Sequence, residues 1–179
     1  MENKIRKLVL SDLFLSFGII LPFFTGQIPQ IGSMLLPMHI PVFLCGLICG
    51  WKYGLLIGLL LPITRSLLFT MPSLLTAISM SFELATYGCV VGYMFEHSKC
   101  QCTKILYCSL IISMILGRIV WCIVQIFILG MNGQTFTFTM FISASLLNAI
   151  PGIILQLILI PIIMVALNKS KLYTFKKEG

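Results

Sequence analysis

The sequence predicts an all-α membrane protein with six transmembrane helices in one integral membrane domain. Apolar residues make up 59% of the 179-residue chain and only 9% are charged, with a mean hydropathy of +1.07. Soluble domains contain about 25% charged residues, and a bilayer can cover apolar surface that a soluble fold of this length cannot bury. Polar or Gly/Pro breaks divide the apolar sequence into six spans: residues 8–24, 36–50, 54–69, 73–95, 105–130 and 140–167.

Positive charges predict the orientation, because cytoplasmic loops collect Lys and Arg. The segments at residues 25–35, 70–72 and 131–139 contain no charged residue and are expected outside. Both termini are therefore expected in the cytoplasm, and the net charge of +7 requires no nucleic-acid partner. Ten of the twelve Lys and Arg residues fall in segments that six crossings place inside: Lys4, Arg6, Lys7, Lys52, Lys99, Lys104, Lys169, Lys171, Lys176 and Lys177.

The first three spans have distinct features. Asp12 interrupts span one and no small-x-small cleavage site follows Phe24, so span one is expected to be a retained helix and not a signal peptide. Spans two and three reach only about 22–24 Å, and either tilt little or form a hairpin that does not fully cross. Residues 51–53 are predicted to form the turn between them. Glycines at four-residue spacing predict close helix packing: Gly46, Gly50, Gly54, Gly58, Gly88 and Gly92.

Spans four and five each carry an ionisable residue near mid-membrane. Glu83 and Arg118 lie about ten and twelve residues below the outer ends of their spans, or about 15–18 Å down. An ionised side chain facing lipid at this depth costs about 2.5–3.5 kcal/mol, so both are expected to face inward. Arg65 and His39 lie nearer the outer ends of spans three and two.

Polar and aromatic residues share helix faces with these charges. Arg118, Trp121, Cys122 and Gln125 follow the i, i+3, i+4, i+7 spacing of one face of span five. Similar faces contain Thr76, Ser79, Glu83 and Tyr87 in span four, and Ser145, Asn148, Gly152 and Gln156 in span six. The sequence therefore predicts a binding site in the outer half of the bundle. Its candidate residues are Glu83, Tyr87, Arg118, Trp121, Gln125, Asn148, Arg65 and His39.

Two structural alternatives are open at these residues. Glu83 and Arg118 can form a fixed ion pair that only holds the bundle together, with the amides bonding neighbouring helices. Arg65 can extend to the outer surface instead of contacting a ligand.

Metal binding and catalysis have weak support. His97, Cys100 and Cys102 are the cysteine-containing cluster that most resembles metal ligands, but four ligands would require Cys108, and the spacing is unlike paired Cys-x-x-Cys modules. The other cysteines are expected to pack as small apolar residues. With one acid at mid-membrane and no nucleophile–base pair, we expect no enzyme, metal or cofactor. The chain also has no phosphate-binding loop, so ATP must bind to partners.

The chain resembles the substrate-binding S components of energy-coupling factor (ECF) vitamin transporters over nearly its whole length. The resemblance implies a six-helix S-component-like bundle in a bacterial plasma membrane, capturing a vitamin or related micronutrient from outside. The implied partners are a transmembrane coupling subunit and two cytosolic ATPases. The matching segments are residues 36–42 (LPMHIPV), 50–54 (GWKYG), 71–72 (MP), 82–88 (FELATYG), 117–118 (GR) and 151–156 (PGIILQ), with Gly46 and Gly58.

The same resemblance implies a docking face on the first helix, where the family carries two small residues four apart. Asp12 and Ser16 stand at the matching positions. Ser16 is small, whereas the charge of Asp12 calls for a polar group on the coupling subunit.

The substrate is left open among several micronutrients. Two arginines against one glutamate favour an anionic ligand, with pantothenate first. Pyridoxine, riboflavin and a queuosine (deazaguanine) precursor remain open, with Trp121 and Tyr87 as stacking partners, and cationic thiamin fits less well. The alternative function is a small proton-coupled carrier that uses Glu83.

Overall fold

A computed structural model of the chain describes residues 2–24, 38–70, 72–98, 101–131 and 150–170. All regular structure in these ranges is helical, so the predicted all-α class is confirmed. The helices follow the order of the six predicted spans, although residues 140–149 of span six lie outside the described ranges. They are α1 Glu2–Phe24, α2 His39–Cys49, α3 Trp51–Phe69, α4 Leu74–His97, α5 Thr103–Met131 and α6 Ile150–Lys169.

Four of these helices, α3 to α6, are long and apolar enough to cross a membrane, and α2 is a shorter apolar helix. Large apolar side chains also point away from the bundle, including Ile123 and Phe127 on α5, which are 61% and 69% exposed. A bilayer can cover such side chains. The chain is thus a multi-pass membrane protein, and crossing by α1 and α2 stays a prediction.

Gly50 alone separates α2 from α3. Its φ of 102° is a left-handed conformation that glycine adopts without steric cost. A Cβ on Gly54 would lie 2.7 Å from the Cα of Gly46, so the two helices fold back on each other as a tight hairpin. The predicted turn at residues 51–53 was wrong: these residues form the first turn of α3, because Gly50 reverses the chain by itself.

Close packing at the other glycines, predicted from their spacing, is confirmed. A Cβ on Gly88 of α4 would overlap the carbonyl of Gly54, and one on Gly58 would overlap the carbonyl of Leu84. A Cβ on Gly46 would lie 2.5 Å from the carbonyl oxygen of Gly88. Only residues without a side chain allow backbones to approach this closely. The glycines therefore seat α4 directly against α2 and α3.

Specific contacts give the helix directions. Phe23 packs on Phe69, so α1 and α3 run parallel, whereas Ser79 opposite Gln125 shows that α4 and α5 run antiparallel. Lys7 and Glu96 both come within 4 Å of where a Gly50 Cβ would sit, at 3.8 and 3.3 Å. Segments that the charge pattern assigns to the inner side thus meet at one end of the bundle. Which end faces the cytoplasm stays a prediction.

Two apolar clusters fill the described bundle. One lies between α2, α4, α5 and α6 and includes Phe43 and Leu110; the other lies among α1 to α4 and includes Leu61 and Cys45. Cys45 and Cys49 are 0% and 1% exposed, which confirms their predicted packing role. The first cluster includes Tyr87 of α4 and therefore directly adjoins the polar residues of α4 and α5.

Candidate functional site

Glu83 occupies the buried face of α4, where only 2% of the residue is exposed. Its Oε1 lies 3.2 Å from Nη1 of Arg118 on the antiparallel helix α5. The hydroxyl of Tyr87, one turn along α4, donates to the same oxygen at 2.6 Å. Glu83 and Arg118, which helical rise places at the same depth, therefore form a direct ion pair. A buried carboxylate gains both charge neutralisation and a hydrogen bond from this arrangement.

Tyr87 is held in place by its ring as well as its hydroxyl. The ring stacks on Phe43 with centroids 5.1 Å apart, and the His39 ring lies 5.4 Å away. Gly117 of α5 faces the same ring so closely that a Cβ would overlap it. Gly117 was not among the predicted site residues, although it precedes Arg118. The available signal was a glycine beside the charged residue of an apolar helix.

Two more residues extend the polar contacts: Ser79, one turn before Glu83 on α4, and Gln125, two turns after Arg118 on α5. Ser79 Oγ donates to Gln125 Oε1 at 2.7 Å. Trp121 lies between Arg118 and Gln125 on the same face of α5 and is half-buried. Seven residues separate Arg118 from Gln125, about 10 Å along the helix. We call Ser79, Glu83, Tyr87, Arg118 and Gln125 the polar seam.

His39 joins this group from a third helix. It is the first residue of α2 and is 1% exposed. Because its ring lies beside Tyr87, the structure brings together four predicted residues that are far apart in sequence: His39, Glu83, Tyr87 and Arg118.

Arg65 makes its described contacts elsewhere. It is 8% exposed, and its Nη1 donates to the carbonyl of Ile19 on α1 at 3.4 Å. Its guanidinium also lies 6.0 Å from the centroid of the Phe23 ring, close enough for a cation–π contact. The Arg65 side chain therefore packs against the C-terminal half of α1, whereas the snorkelling alternative would require it to extend to solvent.

The other residues named from the sequence are of three kinds. Asn148 lies outside the described residues, while Gln156 on α6 is 1% exposed. Asp12 and Ser16 are exposed on α1, where Ser16 Oγ donates to the Asp12 carbonyl at 3.0 Å. Within the described ranges, no group of three or more His, Cys, Asp or Glu side chains could hold a metal ion. Cys100, part of the zinc alternative, is not among those residues.

Comparison with known proteins gives a match at the level of the family. A family model described as "ECF transporter, substrate-specific component" matches residues 6–164, which include every described residue of the polar seam. No curated protein and no solved structure matched the chain.

Proposed function

The chain belongs to the substrate-specific components of ECF transporters, and from this premise we propose that its polar seam binds one vitamin or related micronutrient. At the level of the family, the chain is a substrate-binding subunit of an importer, and such components are transporter subunits and not enzymes. The proposal adds where the substrate binds and which residues hold it.

The observation that carries the proposed site is the position of the polar seam. Glu83 and Arg118 pair between two apolar helices that are long enough to span a membrane. Placing an ionisable residue at such a position costs free energy, and residues placed there usually have a function. A fixed structural pair would need only these two side chains. Here the polar contacts continue through Ser79 and Gln125, with Trp121 on the same face.

Replacement of Arg118 tests the site. We expect Arg118→Ala to lower ligand affinity by at least about tenfold, because the mutation removes the only described cation of the polar seam. Ligand carried through purification would be identified by mass spectrometry. Pantothenate, pyridoxine, riboflavin and a deazaguanine would then be titrated calorimetrically.

Ile123→Ala is the matched control for Arg118→Ala, since Ile123 lies on the same helix and is 61% exposed. It should bind ligand as the unmodified chain does. Folding of both variants is checked by their melting temperatures in detergent. A folded Arg118→Ala protein with unchanged affinity would refute the proposed site.

Among substrates, pantothenate remains our first candidate, with pyridoxine, riboflavin and a queuosine precursor as further candidates. Arg65 adds no described charge to the polar seam, because its described contacts lie on α1. Glu83 and Arg118 alone are balanced in charge, so net charge does not favour an anionic ligand. The support for an anionic ligand comes instead from the N–H donors of Arg118.

We further propose that a transmembrane coupling subunit and two cytosolic ATPases complete the importer, and that the coupling subunit docks on α1. In support, Asp12 and Ser16 lie on an exposed face of α1 that also carries Leu13 and Phe17, 52% and 58% exposed. Asp12 would meet a polar or cationic group there, because a carboxylate facing lipid is costly.

Copurification and uptake test these partners. The unmodified chain should copurify with the ATPase-containing module and import substrate only with ATP, whereas the bulky Ser16→Trp should lose the module and keep its bound ligand. The alternative, a proton-coupled carrier using Glu83, predicts uptake by liposomes that contain this chain alone under a pH gradient. That result would refute the proposed partnership.

A further inference from the structure

Arg118 uses only part of its hydrogen-bonding capacity within the polar seam. Glu83 contacts it at Nη1, at 3.2 Å from Oε1. Its Nε is buried and has no hydrogen-bond partner among the described residues. A guanidinium carries five N–H donors in a rigid plane, and the Nε donor shares one edge of that plane with Nη2. Glu83 is therefore not on the Nε edge.

This geometry differs from that of an optimised structural ion pair. Arginine and carboxylate commonly pair through two parallel hydrogen bonds, which satisfy both partners. Here Oε1 of Glu83 also accepts the Tyr87 hydroxyl, so one oxygen serves two donors. A buried donor without an acceptor is unfavourable, and such groups in native proteins require an explanation. An acceptor supplied by a ligand would satisfy the Nε edge.

Gln125 provides a second donor on the same face of α5. Its Oε1 accepts from Ser79 at 2.7 Å, closer than the 3.3 Å between Ser79 Oγ and its other acceptor, the Leu75 carbonyl. With the amide oxygen engaged, the two N–H groups of Gln125 are left to donate. Two side chains of α5, about 10 Å apart along the helix, thus both offer donors.

We propose that the substrate carries a carboxylate that binds the Nε edge of Arg118, while Gln125 donates to an oxygen further along the substrate. This inference rests on the proposed function, because it assumes that the polar seam is the substrate site. In this arrangement Glu83 is a positioning residue: with Tyr87 it fixes the guanidinium by Nη1 and leaves the Nε edge for the carboxylate.

Matched ligand pairs test the proposal by removing only the carboxylate. Pantothenate is compared with pantothenol, nicotinate with nicotinamide, and 4-pyridoxate with pyridoxine, by calorimetry on the full chain in lipid nanodiscs. The acid of at least one pair should bind about tenfold or more tightly than its neutral partner. Arg118→Lys should reduce that preference, because lysine loses the planar pair of donors although it keeps the positive charge.

The outcomes separate this inference from the proposed function. Equal binding of acid and neutral partner in every pair that binds would overturn the carboxylate assignment, as would a folded Arg118→Lys protein that keeps the full preference. Riboflavin or thiamin as the copurified substrate would also overturn it. In each of these cases substrate capture itself still stands. Failure of every candidate micronutrient to bind would instead count against the proposed function.

Discussion

Gly117 shows how a residue without a side chain can organise a polar site. Because α5 presents only backbone at this point, the Tyr87 ring fits between α5 and Phe43 and its hydroxyl reaches Glu83. The position of the carboxylate, and through it that of Arg118, thus depends on the shape of α5 as well as on charge.

Gly117→Ala should displace the Tyr87 ring and lower both stability and ligand affinity. The added methyl group would overlap the ring, and overpacking of this kind typically costs about 1–3 kcal/mol. Gly130→Ala is the control, since a Cβ there has no atom within 4 Å and alanine is the better helix former. Melting temperature and ligand titration give the readouts. Equal behaviour of the two variants would contradict the role assigned to Gly117.

The pairing of two side chains was predictable from the sequence where it depends only on their depth in the membrane. The depths of Glu83 and Arg118 follow from the uniform rise of a helix, and their pairing follows from equal depth. The position of Arg65 also depends on which helix lies next to α3. That neighbour is α1, and it is determined by packing between segments that are distant in sequence. The position of Arg65 along its helix therefore could not predict its contacts with α1.

Glycine contacts between the helices are of two kinds, which differ in how well they tolerate an added methyl group. Gly88 faces the backbone of Gly54, whereas Gly18 of α1 faces the side chain of Leu61. A side chain can rotate away from an added methyl group, but a helix backbone cannot without moving the whole helix. The two sites should therefore respond differently to the same substitution.

Gly88→Ala should destabilise the protein more than Gly18→Ala. An added Cβ on Gly88 would overlap the Gly54 carbonyl, and separating α3 from α4 would also disturb the helix that carries Glu83. For Gly18→Ala, a Leu61 methyl group 2.6 Å away must shift, which is a smaller adjustment. Melting temperatures in one detergent provide the comparison. A Gly18→Ala protein that melts at or below the temperature of Gly88→Ala would refute this ranking.

The sequence predicted a helix boundary correctly only where a polar segment does end a helix. A turn was predicted at Trp51-Lys52-Tyr53 because these residues are polar, but polarity alone does not end a helix. The actual break lies at Gly50, where the backbone adopts a positive φ. Four-residue glycine spacing predicted contact between helices, yet it could not specify which backbone each glycine meets.

Across the part of the molecule that the structure describes, residues in or beside three segments predicted to lie inside meet at one end of the bundle. Lys7, Gly50 and Glu96 meet at one end, and Ser66 Oγ donates to the Pro72 carbonyl at the other. The order of apolar runs therefore predicted the alternating helix directions. Composition could not predict the polar seam's contacts, because these depend on the rotation of each helix about its axis.

Membrane orientation can be tested by cysteine labelling in a variant that lacks the seven native cysteines. Lys52 and Ser73 are both exposed and lie near opposite ends of the bundle. In intact cells, an impermeant maleimide should label Ser73→Cys, while Lys52→Cys should react only after permeabilisation, because positively charged segments stay inside. The reverse pattern would invert the orientation, and outside labelling of both sites would show that α3 does not cross.

The length of α2 sets how far His39 lies from the Gly50 end of the bundle. Eleven residues span about 16 Å, roughly half of a 30 Å hydrocarbon core, so α2 extends from Gly50 only to His39, beside Tyr87. The number of residues between Gly50 and His39 thus fixes the distance from the Gly50 end of the bundle to the His39 ring. Adding one helical turn to α2 would raise His39 by about 5.4 Å and separate it from Tyr87. The position of His39 could thus be changed by altering α2 alone, with every residue of α4 and α5 kept.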